Sequence, residues 1–182
     1  MRTNYFFLSI TLLGVLMGCN RSSDVPPVGS GHAEWIRQDF ENLRGWISPD
    51  KAASLTTERA HSGKFSIKTG PDIEYSLGYG IKMGQLSATK PRKIHVEAWA
   101  WVPNAKNTTA LIVQIGNATK TIMWEGISLS NKVGAYGKWQ KIETDLMLSP
   151  EITSEDGLSV YLWRHNETEP VYLDDLVIIE AE

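Results

Sequence analysis

The chain has 182 residues, of which 42% are hydrophobic, and a formal net charge of −3 from 18 basic and 21 acidic side chains. This small negative charge, without a cluster of Lys or Arg residues, argues against nucleic acid as a partner. A single cysteine excludes an intramolecular disulfide.

The first residues have the pattern of an export signal. Met1–Asn4 carries one basic side chain, and Tyr5–Met17 is an apolar run interrupted by Ser9, Thr11 and Gly14. A charged start followed by such a run is typical of a secretory signal peptide. The run is shorter than the roughly 20 apolar residues that a membrane-spanning helix needs. No other stretch of the sequence is apolar enough to span a membrane.

The apolar run ends in Leu16-Met17-Gly18-Cys19, which resembles the lipobox of bacterial lipoproteins. In that family a peptidase cuts before the cysteine, whose thiol carries a diacylglyceryl group. The resemblance implies that residues 1–18 are removed and that acyl chains on Cys19 anchor the protein to a lipid bilayer. It also implies a place in the bacterial cell envelope, at the outer membrane or cell surface. The alternative is that Cys19 is an ordinary residue of a cleaved peptide.

The rest of the chain divides into an arm and one domain. Residues 20–32 are rich in Ser, Pro and Gly, so residues 19–32 are predicted to be a flexible tether to a domain spanning residues 33–182. Within the domain, short segments rich in β-branched and aromatic residues alternate with Gly and Pro, which predicts an all-β antiparallel sandwich. The predicted strands are residues 65–69, 94–102, 111–115, 121–129, 139–146, 158–164 and 171–179.

Several segments, taken in order, resemble the jelly-roll carbohydrate-binding modules of the galactose-binding-like type. The segments are Asp39-Phe40-Glu41 as a first strand, Ala60-His61-Ser62-Gly63, Ala98-Trp99-Ala100-Trp101-Val102, Gly137-Lys138-Trp139 and Val171-Tyr172-Leu173-Asp174-Asp175-Leu176. The resemblance covers residues 35–180 and implies a jelly-roll fold that binds carbohydrate. His61, in the second motif, is expected to form a local hydrogen bond.

Modules of this type often hold a structural calcium ion where their first and last strands meet. By resemblance, its ligands would be the carboxylates of Glu41 and Asp174, with main-chain oxygens near Asp39 and Lys64. Ca²⁺ prefers six to eight oxygen ligands, which carboxylates and turn carbonyls supply. Asp175 is expected to point to the opposite face of its strand, so that only one of the two aspartates is a ligand. The alternative is that both carboxylates are ordinary hydrogen-bonding groups.

Two predicted strands separate an aliphatic face from an aromatic and polar one. If the strands at residues 94–102, 111–115 and 158–164 share a sheet, their polar sides form one surface. Sugar-binding sites combine aromatic rings with polar groups, so this surface is the predicted ligand site. Its predicted residues are Trp99, Trp101, Trp163, Tyr161, Glu97, His95, Gln114 and His165. The alternative is that the tryptophans pack within the fold, and the sequence leaves Trp124 unplaced.

These features favour a membrane-anchored lipoprotein that binds glycan without catalysis. No hydrolase, metalloprotease or nucleotide-binding motif is found in the sequence. One alternative is a structural or assembly lipoprotein that contacts another envelope protein. A second is a polysaccharide lyase or hydrolase, because carboxylates are numerous and jelly rolls also host enzymes.

Overall fold

A computed structural model describes residues 34–43, 47–166 and 168–181. These residues belong to one unit, His32–Glu182. The predicted signal segment 1–18, Cys19 and the predicted tether 19–32 lie outside the described residues. No helix in the described ranges has the length and apolar character needed to cross a membrane.

The described residues form ten strands and three single-turn helices, so the all-β prediction is confirmed. The strands are Glu34–Gln38 (β1), Leu55–Thr56 (β2), Ser66–Thr69 (β3), Tyr79–Lys82 (β4), Lys93–Trp101 (β5), Ala110–Gly116 (β6), Thr121–Ser128 (β7), Trp139–Met147 (β8), Gly157–Trp163 (β9) and Val171–Ala181 (β10). The helices are Pro49–Ala52 (α1), Met83–Leu86 (α2) and Leu129–Lys132 (α3). All seven strands predicted from the segments are present, β2 and β4 were not predicted, and the first strand does not lie at the predicted Asp39-Phe40-Glu41.

The strands form two antiparallel sheets that pack as a sandwich. One sheet has the order β2-β3-β10-β5-β8, with β1 added beside β10, and the other has the order β4-β9-β6-β7. Inward side chains alternate with outward ones along β5 and β9, as period-two strands require. The inward residues of both sheets form one apolar core.

The first strand lies earlier in the chain than the motif suggested. β1 ends at Gln38, and Asp39-Phe40-Glu41 forms the turn that follows it. Phe40 has a φ of 60°, and the Asp39 carboxylate accepts a hydrogen bond from the Glu41 N–H at 3.1 Å. A residue in the left-handed region is typical of a turn and not of a strand. The same holds for an Asp carboxylate that accepts a hydrogen bond from the N–H group two residues further along the chain.

The last strand, β10, contains a bulge at the two aspartates. Asp174 pairs with Trp99, but the next paired residues are Val177 and Glu97, so β10 has one extra residue. Asp175, with a φ of 49°, lies in this bulge. The bulge turns the Asp175 side chain to the side of Asp174, so the expectation that the two point to opposite faces is wrong.

Candidate functional site

The predicted ligand residues do not form one surface. His95, Glu97, Trp99 and Trp101 lie on β5, in the six-stranded sheet, and Gln114, Tyr161 and Trp163 lie on β6 and β9, in the four-stranded sheet. The prediction that the eight residues share a surface is therefore wrong, because each group lies on the outer face of a different sheet. We call these outer faces the six-stranded face and the four-stranded face.

The tryptophans of the six-stranded face are covered by the turn at residues 59–64. The His61 ring stacks on Trp99 with centroids 3.8 Å apart and an interplanar angle of 11°. The Arg59 guanidinium lies 4.1 Å from the centroid of the Trp101 ring. One face of each indole is thus occupied by a protein side chain, which fits a packing role better than an open sugar platform.

The two aspartates of the β10 bulge hold this turn in place. The Asp174 carboxylate accepts hydrogen bonds from the N–H groups of His61 at 2.8 Å and Ser62 at 3.1 Å. The Asp175 carboxylate lies 2.6 Å from His61 Nδ1 and accepts the Ser62 hydroxyl at 2.7 Å. His61 therefore bonds to the last strand, and the expectation of a local hydrogen bond is wrong.

His95 and Glu97 take part in a network of charged groups along β5 and β8. His95 Nδ1 lies 2.6 Å from an Asp145 oxygen, and His95 Nε2 lies 3.1 Å from Glu97 Oε1. The Lys141 ammonium, 2.9 Å from Glu97 Oε2, is the main cause that holds the Glu97 pKa below its usual value. His95, Glu97 and Glu143 have possible metal-ligand atoms within 4.8 Å of one another. The Lys141 ammonium already supplies a cation there.

The residues predicted to bind calcium lie close together as part of a hydrogen-bonded turn. Glu41 Oε1 accepts hydrogen bonds from the N–H groups of Lys64 and Phe65, both at 2.7 Å. The Lys64 N–H thus takes up a Glu41 oxygen that was predicted as a metal ligand. Asp174 fits a cation better, because it is 0% exposed and has no Lys or Arg ion pair among the described residues. Burial raises the pKa of Asp174 to about 6.

The four-stranded face carries half-exposed aromatic rings. The Trp124 side chain on β7 is 47% exposed, and the Tyr75 side chain, before β4, is 46% exposed. Trp124 lies edge-to-face against Trp163 at 5.8 Å, and Tyr75 lies edge-to-face against Tyr161 at 6.0 Å. Large apolar side chains in this state are common where a surface receives a ligand.

Glycine makes room for the Trp124 ring. A Cβ placed on Gly126 would lie 3.2 Å from two carbon atoms of the Trp124 ring, tighter than ordinary van der Waals contact. The indole therefore lies over the backbone of its own strand. Below it, Ile112 on β6 is fully buried although it belongs to the outer face. The ring is held in a defined position before any ligand arrives.

The four-stranded face contains two depressions, named here after one lining residue each. The Tyr75 depression has a volume of about 360 Å³ and is lined by Lys51, Tyr75, Ser76, Gly78, Tyr79, Gly80, Gln114, Ser159 and Tyr161. The Trp163 depression has a volume of about 510 Å³ and is lined by Ala105, Lys106, Asn107, Thr108, Ala110, Trp124, Gly126, Ser128, Ser130, Asn131, Trp163 and His165. Such volumes are in the range of small-molecule sites.

Polar groups in both depressions are held in fixed orientations. The Tyr161 hydroxyl donates to Gln114 Oε1 at 2.9 Å, and His165 stacks on Trp163 with centroids 4.4 Å apart. In the Trp163 depression, Asn107 Oδ1 accepts the Thr109 N–H at 2.9 Å. Asn107 Nδ2 and Trp163 Nε1 are buried donors without an acceptor in the part of the chain that the structure describes. Groups of this kind are completed by a ligand or by water.

Two aromatic residues of this face were missed by the sequence analysis. The position of Trp124 could have been predicted from the alternation along β7. Trp124, Gly126 and Ser128 lie on one side of the strand, whereas Met123 and Ile127 are buried on the other side. Tyr75 lies outside any strand and reaches the face through an isolated bridge to Trp163. No local pattern marks that position, so Tyr75 could be found only from the structure.

Comparison with known proteins supports the fold. No family model matches the sequence, and no curated protein matches it. Among solved structures, the tandem family 22 carbohydrate-binding modules of Paenibacillus barcinonensis Xyn10C are 22% identical, with a TM-score of 0.52 over 81% of this chain and 50% of that one. The C-terminal family 22 module of Clostridium thermocellum Xyn10B is 11% identical, with a TM-score of 0.49 over 81% and 94%. The domain therefore has the jelly-roll fold of carbohydrate-binding modules, and that assignment rests on the first structure and the strand topology.

The buried Asp174 carboxylate predicts a specific pH dependence of stability. Its folded pKa of about 6 lies above the unfolded value, so its contribution to stability is complete below about pH 4 and is lost as the pH rises through 6. The Asp174→Asn variant does not lose stability in this way, because an asparagine side chain does not ionise. Relative to the wild type, the variant should gain up to about 3 kcal/mol in unfolding free energy between pH 4 and pH 7. Urea denaturation at both pH values, in EDTA, measures this gain, and a pH-independent difference would contradict it.

Proposed function

We propose that this protein is a lipid-anchored, non-catalytic glycan-binding protein of the bacterial cell envelope, and that its four-stranded face is the binding site. The observation that carries the proposal is the pair of half-exposed rings, Trp124 and Tyr75, beside two depressions with polar linings. Sugar rings present C–H faces to aromatic side chains and hydroxyl groups to hydrogen-bonding ones. The four-stranded face offers both kinds of group.

The six-stranded face is the weaker candidate for the same function. The rings of Trp99 and Trp101 are covered by His61 and Arg59. A glycan could stack on these rings only if the turn at residues 59–64 left the β10 aspartates, with loss of their hydrogen bonds. The four-stranded face needs no such rearrangement, so we place the site there.

We propose that the four-stranded face binds glycan without catalysing a reaction. Most glycoside hydrolases use two carboxyl groups beside the scissile bond. Among the residues that the structure describes, neither depression is lined by Asp or Glu. The tandem family 22 modules that share the fold are carbohydrate-binding modules, and a further structure similar to this chain is a xylan-binding domain. Xylan is therefore included among the test ligands.

Replacement of Trp124 tests the site. Because its ring is half exposed, Trp124→Ala should lower affinity for a bound polysaccharide at least about tenfold, while the unfolding free energy changes by about 1 kcal/mol or less. Affinity gel electrophoresis against xylan and a panel of neutral polysaccharides measures binding, and urea denaturation measures stability.

Trp101→Ala is the matched control, because the same residue type is removed from the covered face. It should cost about 2 kcal/mol or more of stability and leave glycan affinity unchanged. The reverse result, with binding lost in Trp101→Ala and kept in Trp124→Ala, would move the site to the six-stranded face. Binding to no polysaccharide would refute the proposed function.

The proposed anchor is tested at Cys19. Expressed with residues 1–18 in a bacterial host, the wild type should be recovered in the membrane fraction and take up labelled palmitate. Cys19→Ser should be released into the soluble fraction, since two or more acyl chains are needed for stable anchoring. Ser22→Ala serves as the control in the adjacent segment. Membrane retention of Cys19→Ser would refute the anchor.

We also propose a calcium ion near Asp174 and Glu41. The support is the Asp174 carboxylate, whose burial raises its pKa, beside the Glu41 carboxylate, whose Oε1 accepts two backbone N–H groups. Bound Ca²⁺ should raise Tm at pH 7, by linkage to the folded state. Mg²⁺ should not, and Asp174→Asn should remove the effect. Equal Tm values in Ca²⁺ and in EDTA would refute this site.

A further inference from the structure

The two depressions of the four-stranded face carry positive charge without negative charge. Lys51 lines the Tyr75 depression and Lys106 lines the Trp163 depression, and both side chains are exposed. Neither depression is lined by a carboxylate within the described ranges. The charge of the two depressions is thus opposite in sign to the net charge of the chain, which is −3.

The six-stranded face is arranged in the opposite way. Three of its basic side chains form ion pairs: Lys68 with Glu58, Lys93 with Asp145, and Lys141 with Glu97. Lys51 and Lys106 form no ion pair with any described residue. Asp50 precedes Lys51 in the chain, but it does not line the Tyr75 depression. Glu74 acts on the Tyr75 side chain from beside the Tyr75 depression, but among the described residues the charged side chains that line the two depressions are lysines.

The Trp163 depression adds hydrogen-bond donors to this charge. Asn107 is 1% exposed, and its Oδ1 is already used by the Thr109 N–H, which leaves Nδ2 as the free group of the amide. This Nδ2 and Trp163 Nε1 are N–H groups without an acceptor among the described atoms. The Lys106 ammonium lines the depression, and the two unpaired N–H groups are buried in residues that form its wall. This arrangement favours a ligand that is rich in acceptors and negatively charged.

We infer that the glycan bound by the four-stranded face carries carboxylates, as uronic acid residues do, and that a carboxylate is bound at the Trp163 depression beside Lys106. This inference rests on the proposed glycan-binding function and names its ligand class. Tyr161 and Trp163 are two residues apart on β9, about 7 Å. Lys51 lines the same depression as Tyr161, and Lys106 lines the same depression as Trp163, so a chain of sugars along β9 would pass both depressions.

The test compares charged polysaccharides with their own neutral forms. The probes are polygalacturonate, alginate and glucuronoxylan, each beside its carboxyl-reduced derivative, in affinity gel electrophoresis at low and high NaCl. At least one uronate polymer should bind about fivefold or more tightly than its reduced form. This ratio should shrink at high salt, because both lysines are exposed to screening.

Lysine variants locate the charge effect. Lys106→Gln should narrow the affinity ratio between the uronate and reduced forms about twofold to fivefold, and Lys106→Arg should restore it. Lys51→Gln should narrow it independently. Lys138→Gln removes the same charge from an exposed position in the turn before β8 and should leave the ratio unchanged.

The outcomes separate this inference from the function on which it rests. If uronate and reduced forms bind equally well, the ligand class is wrong and the glycan-binding function stands. If the ratio survives in Lys106→Gln, or if uronate binding survives in Trp124→Ala, the carboxylate is not bound at this depression and the inference is overturned. If no polysaccharide of either form binds, the proposed function fails as well.

Discussion

The bulge in β10 is the constraint on which the arrangement of the six-stranded face depends. One extra residue at Asp175 brings two adjacent carboxylates to the same side of the strand. Both accept hydrogen bonds from His61 and Ser62, more than 110 positions earlier in the chain. The turn at residues 59–64 is thereby fixed over Trp99 and Trp101, so that these two rings are covered by the protein itself.

The four-stranded face is open because small residues replace such a turn. Gly80 and Gly126 lie on its two edge strands, and Gly126 lets the Trp124 ring lie over the backbone. The ring is ordered by contact with Trp163 and by the buried Ile112 beneath it. Less side-chain entropy is then lost when a ligand stacks on it, which favours affinity without further contacts.

The strands and the faces of single strands could be predicted from the sequence, whereas their assembly could not. Alternation along β5 and β9 correctly separated the inward aliphatic residues from Trp99 and Trp163, since that pattern is local. The assignment of these two strands to different sheets depends on β5 pairing with β10 and β8, which no local pattern encodes. The sequence also did not predict that His61 covers Trp99, because this contact depends on residues that are far apart in the chain. Trp124 could have been placed by alternation, and Tyr75 could not.

The apolar core lies between two faces that meet different requirements: the six-stranded face carries the turn at residues 59–64, and the four-stranded face carries the proposed ligand site. The turn at residues 59–64 is bonded to the last strand of the six-stranded sheet, while the residues that line the Trp163 depression do not include any residue of that turn. Substitutions at such distant sites are expected to act additively on stability. Ligand preference can therefore diverge while the scaffold persists, in keeping with a shared fold at 22% identity. The same separation makes this domain a suitable starting point for directed changes of specificity.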